Sequence, residues 1–263
     1  MAWRRKESLT AEIREGFRFS WGHRGFRSML LFFMALNVFL SPLFLMVTPL
    51  VLAFAGLHQV AEVSVAGGVG ALLGGLTMTI WGGPRHDRLR TVLRCALVLA
   101  GFCVVLGSRP TLAVVAIGAF GMSAALVLLN GVYTTIVQVK VPQRFHGRVF
   151  AVNTVIAWST LPIGWTLVGP VGSHTLQPLM NSGGALAGTV GRVIGTGPGR
   201  GIGLLYLVLA VAIAVVVTVT QRVPATARFD DEVADARPDD EFGMEAVRDR
   251  LAKQPEAERV MSS

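Results

Sequence analysis

Charge is scarce in this sequence: Asp, Glu, Lys and Arg make up 15% of its residues, against about 25% in soluble domains. A water-exposed globular surface cannot be assembled from so little charge, which excludes an ordinary soluble domain. Cysteine is also rare. The two present, Cys95 and Cys103, lie in one apolar run. On one helix they sit roughly 12 Å apart, too far for a disulfide. This excludes a disulfide framework and leaves two inert packing residues that say nothing about redox compartment. The five histidines, His23, His58, His86, His146 and His174, are scattered without HExxH spacing, and no G-x-S-x-G elbow occurs. Enzymatic chemistry, a bound metal and a cofactor are therefore not expected. Met1–Arg27 lacks the apolar core and small-residue cleavage site of a signal peptide.

What the sequence has in abundance is apolar length. Hydrophobic residues reach 52% and the mean hydropathy is +0.57. A bilayer core of about 30 Å takes about 20 helical residues. Six segments are expected to span it, near 29–54, 63–82, 91–107, 112–139, 149–171 and 202–221. The third is short, with Arg94 one turn inside, where a long side chain snorkels to the interface. The expected fold is an all-α membrane protein, a bundle of six transmembrane helices in contact with the lipid bilayer.

Basic residues orient the bundle. Arg4, Arg5, Lys6, Arg14, Arg18, Arg24 and Arg27 precede the first span. Arg85, Arg88, Arg90 and Arg94 fill the second-to-third turn, and Lys140, Arg144 and Arg148 the fourth-to-fifth. The opposite loops hold only Arg109, Arg192 and Arg200. The positive-inside rule then places both termini in the cytoplasm of a cell that carries the chain in its inner or plasma membrane. The net charge of +8 would suggest nucleic acid in a soluble chain; here it reflects cytoplasmic loops facing anionic lipid, and no nucleic-acid partner is expected.

The ends differ from the body. Residues 1–27 form a basic segment in which Ile13, Phe17 and Trp21 recur at helical spacing, either a surface amphipathic helix or a solvated linker. Residues 222–263 read as an acidic cytoplasmic tail without a packed core, apart from a short helix near Met244–Leu251. Glycine-rich residues 172–201 read as the longest outer loop, with the option of partial re-entry into the membrane.

Polar groups inside apolar runs need partners or water, because an unpartnered amide in lipid costs several kcal/mol. Asn37, Asn130, Tyr133, Thr134, Gln138, Asn153, Trp158 and Ser159 are such groups. Asn130, Tyr133, Thr134 and Gln138 recur every three or four residues, either lining an aqueous cavity or bonding to neighbouring helices. Gly70-x-x-x-Gly74 has the small-x-x-x-small spacing of close helix contacts. Pro162, Gly164 and the Gly169-Pro170 step loosen the fifth span. In the basic turn, Asp87 has Arg85, Arg88 and Arg90 beside it. With Arg144 and Arg148 on the next cytoplasmic hairpin it either forms a gate latch or belongs to a set of charges that fixes topology. No carboxylate is embedded in a span: Glu62 and Asp87 lie at opposite boundaries.

Gly83, Asp87, Arg88 and Arg90, read as G-x-x-x-D-R-x-R, resemble the loop motif of the major facilitator superfamily, in the weaker form of its C-terminal half. QVKVPQRFHGRVF (Gln138–Phe150) is similar to the turn between helices ten and eleven of its drug and siderophore exporters. Pro162-Ile-Gly164, GTGPGRGIGLLY (Gly195–Tyr206) and the basic stretch Glu12–Arg27 resemble the same group. The resemblance covers about residues 10–221 and implies the C-terminal six-helix half of a secondary transporter. It also implies that spans one, two, four and five line a cavity for a small amphipathic substrate. A second six-helix half or a homodimer partner would complete that cavity, and efflux by antiport would be the activity. The alternative is a membrane anchor or assembly subunit that transports nothing.

Overall fold

The computed structural model describes residues 24–84, 87–140, 154–155, 162, 170–181 and 183–223. Every regular element among them is helical. Helix α1 (Arg24–Leu45) and the short α2 (Val47–Leu52) follow one another with only Met46 between. Proline explains the break. Pro49 has no N–H to give to Leu45, where α1 ends, while Met46 N–H still bonds Pro42 O at 3.0 Å and keeps the axis nearly continuous. Together they make one apolar span, Leu31–Leu52.

Helix α3 (Leu57–Trp81) starts six residues before the expected 63. Its N-terminus is capped: Gly56 N–H donates to Gln59 Oε1 at 3.0 Å, which draws the polar residues His58 and Glu62 into the first turns. It stops at Gly82, whose φ of 69° lies in the left-handed region and whose N–H returns to Met78 O at 2.8 Å. Helices α4 (Arg88–Ser108) and α5 (Leu112–Lys140) agree with the third and fourth expected spans. Most of the fifth expected span, 149–171, falls outside the described residues; those of it that are described, 154, 155, 162, 170 and 171, are helical. From its last residue onward come a π-helical turn (Val171–Leu176), α6 (Gln177–Met180), α7 (Val190–Ile194) and α8 (Arg200–Arg222). The glycine-rich stretch expected as a loop thus contains short helices. Met180 and Ile194 pack with Leu204 of α8 in a small apolar cluster of their own, and this burial pins a segment that glycine alone would leave loose.

Among the described residues, five segments are long and apolar enough to cross a membrane: Leu31–Leu52, α3, α4, α5 and α8. The chain is a helical, multi-pass membrane protein by this measure. Helix α5 is central, packed on α3 and α4, while α4 also packs on α8 and α8 on α1. Glycine sets the separations. A Cβ on Gly70 would lie 2.8 Å from the carbonyl carbon of Phe120, and one on Gly74 2.8 Å from Ala124 O. One on Gly118 would lie 2.6 Å from Leu106 Cβ, and one on Gly107 2.5 Å from Gly203 O. The first two contacts climb together, so α3 and α5 run parallel; the third pairs α5 with α4 antiparallel. Consequently the Trp81–Arg88 turn, Lys140 and Arg222 share one end of the bundle, and Ala53–Gly56, Arg109 and Arg200 share the other.

Candidate functional site

The hairpin between α3 and α4 opens with two glycines in the left-handed region, Gly82 at φ 69° and Gly83 at φ 81°. Asp87 then takes φ 53°, the one non-glycine residue there among those described. Aspartate tolerates this conformation better than most side chains. Its Oδ1 lies 3.4 Å from Arg90 Nη1, both side chains more than half exposed, so the pair sits within one turn of α4 and is weak. Arg88 folds back, Nε donating to Pro84 O at 3.2 Å. Arg144 and Arg148, the expected partners on the next hairpin, lie outside the described residues.

The polar positions of α5 separate into two sets. Tyr133 is buried and packs against Phe33 of α1, the rings tilted by 35° with centroids 3.4 Å apart. Asn130 and Gln138 are exposed and Thr134 half-exposed, a row at i, i+4 and i+8 along one side of the helix. Asn130 stands some 6 Å from the middle of α5, at 1.5 Å per residue. Elsewhere several hydroxyls and amides of the spans are satisfied by their own helix. Ser64 donates to Val60 O, Thr77 to Leu73 O, Thr79 to Gly75 O and Asn37 to Phe33 O, all at 2.7–2.9 Å. No such bond occupies Asn130 or Gln138 among the described residues. Asn37 is half-buried on α1. Asn153, Trp158 and Gly164 lie outside the described residues, and Pro162 is helical and exposed.

Next to this row runs the glycine seam between α3 and α5. Gly70 and Gly74 are buried against the backbone of Phe120 and Ala124. Gly131 receives Met78, whose Cγ would lie 2.8 Å from an added Cβ. The other side of α3 is bare: Val65, Leu72, Leu76 and Ile80 are all exposed, Ile80 to 87%.

Two residues of the opposite end carry more structure than the sequence reading assigned to them. Tyr206 of α8 is fully buried and its Oη donates a short hydrogen bond to Leu43 O of α1. Arg200, counted only as a charge in an outer loop, is 1% exposed. Its Nη1 donates to Ile194 O at 2.8 Å and reaches Gly107 O at 3.5 Å. Its Nε and Nη2 are buried with no hydrogen-bond partner among the described residues. The only hint of this in the sequence is position, an arginine set between Gly199 and Gly201 at the start of an apolar run.

Compared with protein-family models, with curated proteins and with solved structures, the chain matches none.

Proposed function

We propose that the chain is a six-helix transport unit that moves a small amphipathic compound across the membrane by alternating access, with Asn130, Thr134 and Gln138 on the substrate path. The observation that carries this reading is the uncovered row on α5. An exposed amide near the middle of a spanning helix is costly against lipid, so such groups face a water-filled cavity or another polar surface. The apolar side of α3 suits lipid or a second bundle. The backbone-to-backbone seam at Gly70 and Gly74 carries no side-chain interlock and suits two helices that slide. The resemblance of the hairpin and flanking motifs to the major facilitator superfamily points the same way. It suggests the C-terminal half of an exporter, working with a second six-helix half or a second copy of the chain.

The test is flux in proteoliposomes loaded with a cationic amphipathic dye, with the chain alone and with the product of any adjacent six-span coding sequence. Replacing Asn130 by Leu is expected to lower the flux about ten-fold, the equivalent of one lost hydrogen bond, without lowering the melting temperature. A strictly monomeric chain without flux in either preparation supports the anchor or assembly reading instead.

A further inference from the structure

Arg200 is the first residue of the 23-residue helix α8. A cation there opposes the helix dipole, whose positive end is at the N-terminus, and at 1% exposure it has also lost its water. One half of the group is accounted for. Nη1 bridges Ile194 O and Gly107 O, carbonyls at the C-terminal ends of α7 and α4, where partial negative charge collects. The other edge of the planar group, Nε–H beside Nη2–H, meets no acceptor among the described residues. That edge is a rigid pair of parallel donors, the geometry that grips two oxygens of a carboxylate or phosphate at once.

The backbone donors of the helix end are already taken. Gly201 N–H goes to Gln177 Oε1 at 3.0 Å, Ile202 N–H to Gly199 O and Gly203 N–H to Gly199 O, both at 3.1 Å. What is left is the Nε–Nη2 edge of the guanidinium, whose Cζ and Nη1 lie over the first turn of α8, 3.5 Å from where a Cβ on Gly203 would sit.

No carboxylate among the described residues is placed to fill it. Among the described residues the acidic groups are Glu62, exposed and 3.1 Å from His58, and Asp87, beside Arg90 at the other end of the bundle. Residues 141–169 contain no Asp or Glu. All remaining acids belong to residues 1–23 or to the stretch after Arg222. The second group joins α8 at its far end, about 33 Å away along the axis, and the first precedes α1 at that same far end.

We propose that Arg200 is the core of a binding site for a two-oxygen anion, a carboxylate or a phosphate, at the end of the bundle remote from the Asp87 hairpin. The site does not depend on the transport reading. Its donor pair is closed over in this structure, so loading requires the 190–199 segment to lift. Gly195, Gly197 and Gly199, all at positive φ, give that segment backbone freedom.

The full chain is placed in phosphatidylcholine nanodiscs and melted with inorganic phosphate, succinate or chloride at matched ionic strength. A second set uses phosphatidylglycerol nanodiscs without added anion. At about ten-fold Kd, phosphate or succinate is expected to raise the melting temperature by about 3 °C or more, chloride not at all. The shift is expected to vanish in R200Q. R200K keeps the charge without the parallel N–H pair and stands in where the glutamine variant fails to fold; it is expected to lose most of the shift. An Arg200-dependent rise with soluble anions identifies a dissolved ligand, and one seen only in phosphatidylglycerol identifies the lipid headgroup. Equal responses in wild type and both variants, or no response of the wild type to any of these probes, overturns the proposal.

Discussion

At residue scale the most informative position of the hairpin is Asp87, because two of its properties can be separated by substitution. Its charge contributes one exposed pair with Arg90, worth about 0.3 kcal/mol. Its backbone sits at φ 53° and ψ 38°, a region that costs an alanine roughly 1 kcal/mol and a glycine nothing. Stability in detergent is therefore expected to run Gly at or above Asp, Asn close behind, and Ala clearly lowest; an alanine variant as stable as the wild type refutes the strained turn. The latch is a distinct question with its own readout. If the carboxylate holds its end of the bundle closed, Asp87→Asn raises the labelling rate of a cysteine placed at that end while the melting temperature barely moves. Unchanged labelling leaves Asp87 as a turn residue only. The glycine and Asp-Arg pattern made this hairpin legible in the sequence. Arg200 was not legible in the same way, since an arginine at the edge of an apolar run ordinarily snorkels to water. Its burial follows from α7 and the end of α4 folding over it, contacts between residues distant in the sequence.

At the scale of elements, close approach between helices is the organising feature, and the sequence contains both a test and its control. Gly70 and Gly68 stand in the same helix two residues apart. A Cβ at Gly70 runs into the Phe120 backbone, whereas one at Gly68 meets nothing within 4 Å. Gly70→Ala is expected to destabilise by about 2 kcal/mol, because backbone cannot move aside as a flexible side chain can. Gly68→Ala is expected to be neutral or to stabilise by about 0.5 kcal/mol through the better helix former. Reversible unfolding in mixed micelles measures both, and equal effects would mean that α3 and α5 do not meet at Gly70. The small-x-x-x-small spacing made this seam readable in advance, and apolar run lengths located α4 and α5 within a few residues. Periodicity could not reveal the other close contacts, Gly118 on Leu106 and Gly107 on Gly203, because single glycines in three helices carry no local signal of which helix each will meet. The early start of α3 escaped for a related reason. His58, Gln59 and Glu62 look like loop by hydropathy, yet the Gly56–Gln59 hydrogen bond makes them the first turns of a helix.

For the whole molecule, the arrangement of ends joins structure to orientation. Parallel packing of α3 on α5 and antiparallel packing of α4 gather the Arg88 turn, Lys140 and Arg222 at one end. Those are the basic segments, together with the Arg24–Arg27 start of α1, while the far end has, among the described residues, only Arg109, Arg192 and Arg200. Of these three, Arg200 is buried, so the exposed charge of the far end is smaller still than the sequence suggests. A bilayer with its anionic leaflet inside favours the basic end in the cytoplasm. Arg90 and Thr111 are exposed and belong to opposite ends. In a background with Cys95 and Cys103 replaced by alanine, Arg90→Cys is expected to react with a membrane-impermeant maleimide only in inverted vesicles. Thr111→Cys is expected to react only in intact cells or right-side-out vesicles. Reaction of both cysteines from the same side is incompatible with α4 crossing the bilayer, since these two positions bracket that helix. Reaction from opposite sides but in the reverse sense would leave the fold intact and turn the bundle over. The Asp87 hairpin would then face outward and the Arg200 site inward, and a gate role for the hairpin would have to be argued from the outer leaflet.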